Sequence, residues 1–400
     1  MGEQSWQPGT WTPGLCSIAG IGATEFSKCS GRSVLALATE ASRAAMADAG
    51  LTVADVDGIV TCDLETIRHN DLAQSLGLPE LNYWGSTGVG GTAPCGMVAQ
   101  AVAAITAGLA RSVLVFRSLN GRSGPRYGRA AGARRAVGGA DSLDEFTVPY
   151  GLVTAGQAWA LIARRHMIDF GTTREQLGAI ALACRARANT NPAAEMHART
   201  MSMDDYLEAR VIASPLGLFD YCQETDGACA VIVTSTERAR HLAQPPALIR
   251  SVAQGASDDL QGAMFVPAVF RRDLTTHPSA NVARTLWRRA GLGPDDVDVA
   301  QFYDCFTITV LVQLEDYGFC PKGEGGPFAA SGAIEPGGSV PVNTAGGNLS
   351  EGYIHGLNHI VEGVRQIRGT SRSQVEGAEV SLVTSGLPPA TSALVLTGDR

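Results

Sequence analysis

Apolar residues recur at helical spacing in two distant stretches, SVLALATEASRAAMADAG (Ser33 to Gly50) and NVARTLWRRAG (Asn281 to Gly291). Both stop at a glycine, the residue that most readily takes the left-handed conformation closing a helix. Strand-like segments follow, AGLTVADVDGIV (Ala49 to Val60) and AGLGPDDVDVAQ (Ala290 to Gln301), which share AGL and then DVD in one register. A looser pair supports them. GGTAPCGMVAQAVAAITAGLARSVLVFRS starts at Gly90 and GGNLSEGYIHGLNHIVEGVRQIRG starts at Gly346, with EVSLVTSG as the later strand of the second. The order helix, strand, glycine loop, helix, strand thus occurs twice, which predicts a tandem duplication of an α/β half.

The halves are placed at residues 1–245 and 246–400. Between the repeated motifs, about 119–215 reads as an insertion capping the first half. It opens with the arginine-rich SLNGRSGPRYGRAAGARRAVGG and continues with the helical AGQAWALIARRHMIDFG and REQLGAIALACRARANTNP. Strand–helix alternation predicts mixed sheets with helices on both faces.

Composition narrows the class. The 400 residues are 45% hydrophobic and only 18% charged, which suits a large, tightly packed α/β protein that buries surface in an oligomer. The net charge of −8 argues against a nucleic-acid partner. Nine scattered cysteines form no CxxC pair, so zinc-ribbon and redox signatures are absent and reduced thiols in a cytoplasmic setting are expected. The N-terminal residues lack a signal-peptide pattern, and no run of 18 apolar residues predicts a membrane span.

Three spaced motifs then carry a resemblance: TDGACAVIVTS (Thr225 to Ser235), FYDCFTI (Phe302 to Ile308) and PVNTAGGNLSEGYIHG (Pro341 to Gly356). With the duplicated halves and the insertion, they resemble the thiolase superfamily, in its sterol-carrier-protein-thiolase and lipid-transfer-protein branch. The resemblance implies an α/β thiolase fold, two βα halves in a five-layered αβαβα core. It also implies a catalytic cysteine 17 residues before the glycine ending the buried helix of the first half. That glycine is Gly108, so the position holds Gly91. Cys95 falls a helical turn further on, away from the expected helix mouth. The second catalytic cysteine corresponds to Thr384, the catalytic histidine to Tyr353, and the Asn or His opening another family motif to Tyr303.

Losing both thiols removes the acyl-enzyme route. Two tyrosines in the emptied site resemble the steroid side-chain-cleaving aldolases of the superfamily, which implies retro-aldol cleavage of a β-hydroxyacyl-CoA. In that resemblance a 17-hydroxy steroid carboxyl-CoA gives a 17-ketosteroid and propionyl-CoA. The alternatives are a thiolase-type acyltransferase using Cys95 and a non-enzymatic acyl-CoA or lipid carrier.

A retro-aldol needs a base for the β-hydroxyl, a stabilised thioester enolate and an acid for the α-carbon. Tyr303 and Tyr353 are the candidates, with Tyr353 placed nearer the α-carbon. Each is read as sitting at a helix start, which would draw a phenol pKa down from about 10. For Tyr353 that helix is IHGLNHIVEGVRQI, with Leu357, Ile360, Val361, Val364 and Ile367 as its apolar stripe. Asp304, His355, Asn358 and His359 are supporting candidates. Gly90, Gly91, Gly346, Gly347 and Gly352 would admit the thioester to backbone N–H groups as an oxyanion hole. His355 and His359, four apart, lack a third metal ligand, so no metal is expected.

Arg117, Arg122 and Arg126, with Arg129, Arg134 and Arg135, are candidate CoA phosphate contacts; a solvated loop or an acidic interface explains them equally. Asp226 reads as a structural turn residue. No cofactor is required, since the substrate carries coenzyme A. The resemblance further implies a homodimer and a separate zinc-ribbon/OB-fold acyl-CoA-associated protein, giving a heterotetramer.

Overall fold

The computed structural model describes residues 11–126, 147–256, 272–387 and 390–399. Its strands are β1 (Cys16–Ala23), β2 (Gly58–Thr61), β3 (Tyr83–Ser86), β4 (Ser112–Asn120), β5 (Val211–Ala213), β6 (Leu216–Gly217), β7 (Asp226–Ser235), β8 (Ala247–Ala256), β9 (Val299–Gln301), β10 (Val380–Thr384) and β11 (Ala390–Thr397). Nine form one mixed sheet in the order β3-β2-β4-β7-β1-β8-β11-β10-β9, and β5 and β6 form a separate ribbon.

The duplication is visible in the pairing. From the central antiparallel β1/β8 pair outward, one wing runs β1, β7, β4, β2 and the other β8, β11, β10, β9. Both wings make two antiparallel pairings and then a parallel one. β3 adds a parallel strand beside β2, and its counterpart beside β9 is reduced to a single parallel bridge, Ala300 to Val342.

Helices Pro94–Thr106 and Leu357–Arg368 each touch strands of both wings, so the sheet wraps around them. Helices Val34–Ala49 and Pro278–Ala290 cover the outer faces. Outer helix, wing, central helices, wing and outer helix make five layers. The predicted stripe holds for Leu357, Ile360, Val361 and Val364, all buried in the middle core, with Ile367 packed at its edge.

Small residues set the layer spacing. A Cβ on Gly20 would lie 2.2 Å from the Ala45 carbonyl oxygen, and one on Gly22 would lie 2.1 Å from that of Ala41. The alanine-rich helix Val34–Ala49 therefore lies directly on β1. Ser33 caps its start through its side chain, and Gly50 closes it at φ 71°.

The insertion differs from expectation. Helices Ala155–Phe170 and Arg174–Thr190 pack on helix Thr307–Asp316 and share the core of the second half. Their apolar faces, including Trp159, Ile162, Leu177 and Ile180, meet Leu311 and Leu314 there. These helices of the insertion cap the second half rather than the first.

Gly20→Ala forces helix and strand apart. It should lower stability by about 1–3 kcal/mol, read as a reduced urea midpoint; an unchanged midpoint would refute this packing argument.

Candidate active site

Tyr303 lies just past β9, whose parallel pairing with β10 puts Thr384 beside it. The Tyr303 N–H donates to Thr384 Oγ1 at 2.9 Å. That hydroxyl donates to Gln313 Oε1 at 2.5 Å, and Gln313 Nε2 returns a bond to the Tyr303 carbonyl at 2.8 Å. Thr384 thus closes a ring of bonds that holds the tyrosine backbone. Tyr353 sits between the short helix Gly347–Ser350 and helix Leu357–Arg368. Its N–H donates to Thr225 Oγ1 at 2.8 Å.

The two phenol oxygens are 2.9 Å apart, with the rings inclined at 60°. Tyr303 is only 3% exposed and Tyr353 is half-buried. Both precede their following helices by several residues instead of starting them. The expected lowering of the phenol pKa fails at Tyr303: burial first, then the neighbouring Tyr353, push it well above the usual value. Tyr303 is a neutral hydroxyl at rest.

Two glycines make room for this arrangement. A Cβ on Gly91 would lie 1.9 Å from Tyr303 Oη, so the phenol fills the space a side chain at 91 would take. A Cβ on Gly90, at φ 56°, would lie 3.1 Å from the His355 ring. Gly347 abuts Asp304 Oδ2, Gly352 abuts Phe26 and Gly346 abuts Ala188. The amides of Gly346 and Gly352 already donate to the carbonyls of Asn343 and Gly347. The five glycines therefore serve close packing of protein groups, and Gly346 and Gly352 leave the set of oxyanion donors.

The supporting residues divide into two clusters. Asp304 accepts from the N–H groups of Asn348 and Leu349 at 2.8 and 3.1 Å, and His359 Nε2 lies 3.0 Å from its Oδ1. The His359 ring packs 6.5 Å from that of Tyr303. His355, at φ 53°, instead places Nδ1 3.1 Å from Arg117 Nε, and its ring lies 5.1 Å from Tyr353. Burial first, then Arg117, push the His355 imidazole well below its usual pKa. With one histidine on Arg117 and the other on Asp304, they do not converge on a metal. Asn358 donates to Glu351 Oε2 and the Gly352 carbonyl, both at 3.1 Å, so it braces the loop carrying Tyr353.

Arg117 is not a phosphate contact. It is 2% exposed and pairs with the equally buried Glu65 at 2.7 Å. Arg126 pairs with Glu224. Arg122 is half-buried, and its backbone N–H donates to Asp226. Arg129, Arg134 and Arg135 lie outside the described residues. Asp226 also accepts from the Ser30 and Ser123 N–H groups, so this structural carboxylate ties two loops to the start of β7.

Cys95 stands in the first turn of helix Pro94–Thr106, nearer its mouth than the spacing suggested. Its thiol is fully buried, donates to the Val383 carbonyl and is pushed up to about 12 by burial. It carries no accessible thiolate. Sequence reasoning missed Glu65, Thr225, Gln313 and Glu351. A lone glutamine within TVLVQLED and an acid in the glycine-rich SEGY were the available signals.

Residues 267–397 match the thiolase C-terminal domain-like family. The chain is 46% identical to a steroid side-chain-cleaving aldolase of Thermomonospora curvata, over 97% of this chain and 99% of that one. It is also 46% identical to 17-hydroxy-3-oxo-4-pregnene-20-carboxyl-CoA lyase of Mycobacterium tuberculosis, over 96% and 99%. The solved Ltp2-ChsH2(DUF35) aldolase superposes with a TM-score of 0.91 at 44% identity, covering 98% of this chain and 100% of that one. The chain belongs to the steroid side-chain-cleaving aldolases, carbon–carbon lyases on the thiolase fold.

Gly91→Ala should displace the Tyr303 phenol and lower kcat about 100-fold with the circular-dichroism spectrum intact; unchanged kcat would show that the phenol does not need this position. Glu351 supplies a pH test. Burial, then Glu362, push its carboxyl up to about 8. A pKa raised on folding favours the native state below about 4.3, the unfolded value, and that contribution is lost as pH rises through the folded value. Wild-type stability should therefore fall between about pH 5 and 8, by at most about 1.4 kcal/mol per pH unit. Glu351→Gln should remove this slope in urea titrations; equal slopes would refute it.

Proposed function

We propose that this protein cleaves the ring-to-side-chain carbon–carbon bond of a β-hydroxyacyl-CoA, with a 17-hydroxy steroid carboxyl-CoA giving a 17-ketosteroid and propionyl-CoA. The hydrogen-bonded pair Tyr303 and Tyr353, 2.9 Å apart, carries this reading. The names of the two curated relatives support the substrate class.

The raised pKa of Tyr303 favours a relay between neutral hydroxyls. Tyr353 Oη accepts the β-hydroxyl proton as it passes its own to Tyr303 Oη. Tyr303 gives its proton to the α-carbon. As the C–C bond breaks, its electron pair gives the α-carbon enolate character and takes the Tyr303 proton within the same relay, so neither phenol holds two protons. Both phenols end as they began. This relay has Tyr303 at the α-carbon, the reverse of the order assigned from sequence position; burial keeps the Tyr303 phenol protonated until it donates. The chemistry needs no cofactor.

The partner is a separate acyl-CoA-associated polypeptide, supported by the second component named in the Ltp2-ChsH2(DUF35) relative. A zinc-ribbon/OB-fold protein bound to a homodimer of this chain gives a heterotetramer in the cytoplasm. Arg122 and Arg126, the latter paired with Glu224, are the remaining described candidates for a CoA phosphate. Among the described residues no helix is long and apolar enough to cross a membrane.

The test is cleavage of the 17-hydroxy steroid carboxyl-CoA by the complex, followed by mass spectrometry. Ketosteroid and propionyl-CoA should appear without free CoA. Tyr303→Phe and Tyr353→Phe should each lower kcat about 100- to 10,000-fold, while Cys95→Ala keeps the chemistry. Cleavage that requires free CoA and Cys95 would make the protein a thiolase. Tight binding without turnover would make it a carrier.

A further inference from the structure

The Tyr303 hydroxyl stands where its ring and its main chain put it, and a separate device fixes each. The ring lies in a cage of glycines. A Cβ on Gly91 would lie 1.9 Å from Tyr303 Oη and 2.2 Å from Cζ. One on Gly356 would lie 2.8 Å from Cδ2, and one on Gly386 would lie 2.8 Å from Cε1. The tip and both long edges of the ring thus rest against glycine. The Gly386 N–H donates to the Gly91 carbonyl at 2.6 Å, which ties two walls of the cage together. Sideways movement of the ring meets packed atoms, so what remains adjustable is the height at which the main chain holds it.

That height is set at Thr384, fully buried on β10. A threonine hydroxyl has one proton to give and lone pairs to accept with. Gln313 decides where the proton goes. Its Nε2 donates to the carbonyls of Tyr303 and Thr309, both at 2.8 Å, so both amide protons are used and Oε1 must accept. Turned round, the amide would set its oxygen against two carbonyls. Thr384 Oγ1 therefore donates to Gln313 Oε1 at 2.5 Å and keeps a lone pair for the Tyr303 N–H at 2.9 Å. The Tyr303 carbonyl also lies 3.0 Å from Thr309 Oγ1, so that end of the residue has a second donor. The N–H end is the one that depends on Thr384.

We propose that Thr384, oriented by Gln313, is a positioning residue that sets the Tyr303 hydroxyl at proton-transfer distance from Tyr353 and from the α-carbon of the substrate. This role rests on the retro-aldol reading, in which Tyr303 hands over its proton. The two phenol oxygens are 2.9 Å apart, and a misplacement of about 1 Å costs on the order of 100-fold in rate. Without the Thr384 hydroxyl, the Tyr303 N–H and Gln313 Oε1 would be left buried and unpaired, and the main chain would shift to satisfy them.

Two measurements test the proposal on the intact protein. Thr384→Val keeps the side-chain shape and removes the hydroxyl, whereas Thr384→Ser keeps the hydroxyl and removes a methyl. In steroid-CoA cleavage by the complex, the Val variant should lose about 10- to 100-fold in kcat with KM within about twofold of wild type, and the Ser variant should recover most of that loss. The reverse order would show that the side chain serves packing only and overturn the proposal. A Val variant with the wild-type kcat, or with its loss confined to KM, would overturn it as well. Hydrogen exchange of the Tyr303 amide needs no substrate. In nitrogen-15 tyrosine spectra this amide gives the signal lost in Tyr303→Phe. It should exchange about tenfold faster in Thr384→Val than in the wild type or Thr384→Ser. Equal rates in all three overturn the proposal whatever reaction the protein catalyses. A wild type that releases no ketosteroid would sink the retro-aldol reading itself, and the exchange order would still stand.

Discussion

The site depends on a steric fact: Gly91 has no side chain, and the hydroxyl of Tyr303 occupies the resulting space. Any Cβ at 91 would collide with that oxygen at 1.9 Å. In the resemblance that the sequence carries, this is the position of the nucleophilic cysteine. A thiol at 91 and a phenol at 303 cannot both fit as the chain now lies. Positions 91 and 303 therefore constrain each other although they lie on separate segments, brought together by the wrapping of the sheet around its central helices.

Electrostatics follow from the same packing. Burial that lets Tyr303 reach Gly91 also raises its pKa, so the phenol stays a hydroxyl. Burial of His355 against Arg117 has the matching effect on a base, holding it uncharged. The site is thus organised around neutral donors and acceptors. Fixed charges such as Asp304 and Arg117 stay behind the reacting groups, where they orient the histidines. That division suits a reaction whose charge develops on the substrate rather than on the protein.

Much of the fold was legible because duplication writes itself as pattern. The AGL and DVD repeats marked equivalent helix–strand joints, and the two glycine-led helices proved to be the central pair. The motif register singled out Tyr303 and Tyr353, and the fold brings their hydroxyls to 2.9 Å. What the sequence concealed was pairing across distance. An arginine in RSLN looks like a phosphate ligand until the fold buries it beside Glu65. Glycines in GG look like open backbone until Tyr303, His355 and Asp304 are seen to fill the space beside them. The insertion was assigned to the first half by chain order, yet its apolar helices follow the face that buries them on helix Thr307–Asp316.

The central claim is proton delivery to the α-carbon by a fixed phenol, with no covalent intermediate. Cleavage in deuterium oxide tests it most directly, because the released propionyl-CoA records how its α-carbon was protonated. The account predicts one deuterium at that carbon, in a single configuration, with no acyl adduct on the protein during turnover. A racemic label, showing protonation by solvent outside the site, or an acylated cysteine would contradict it.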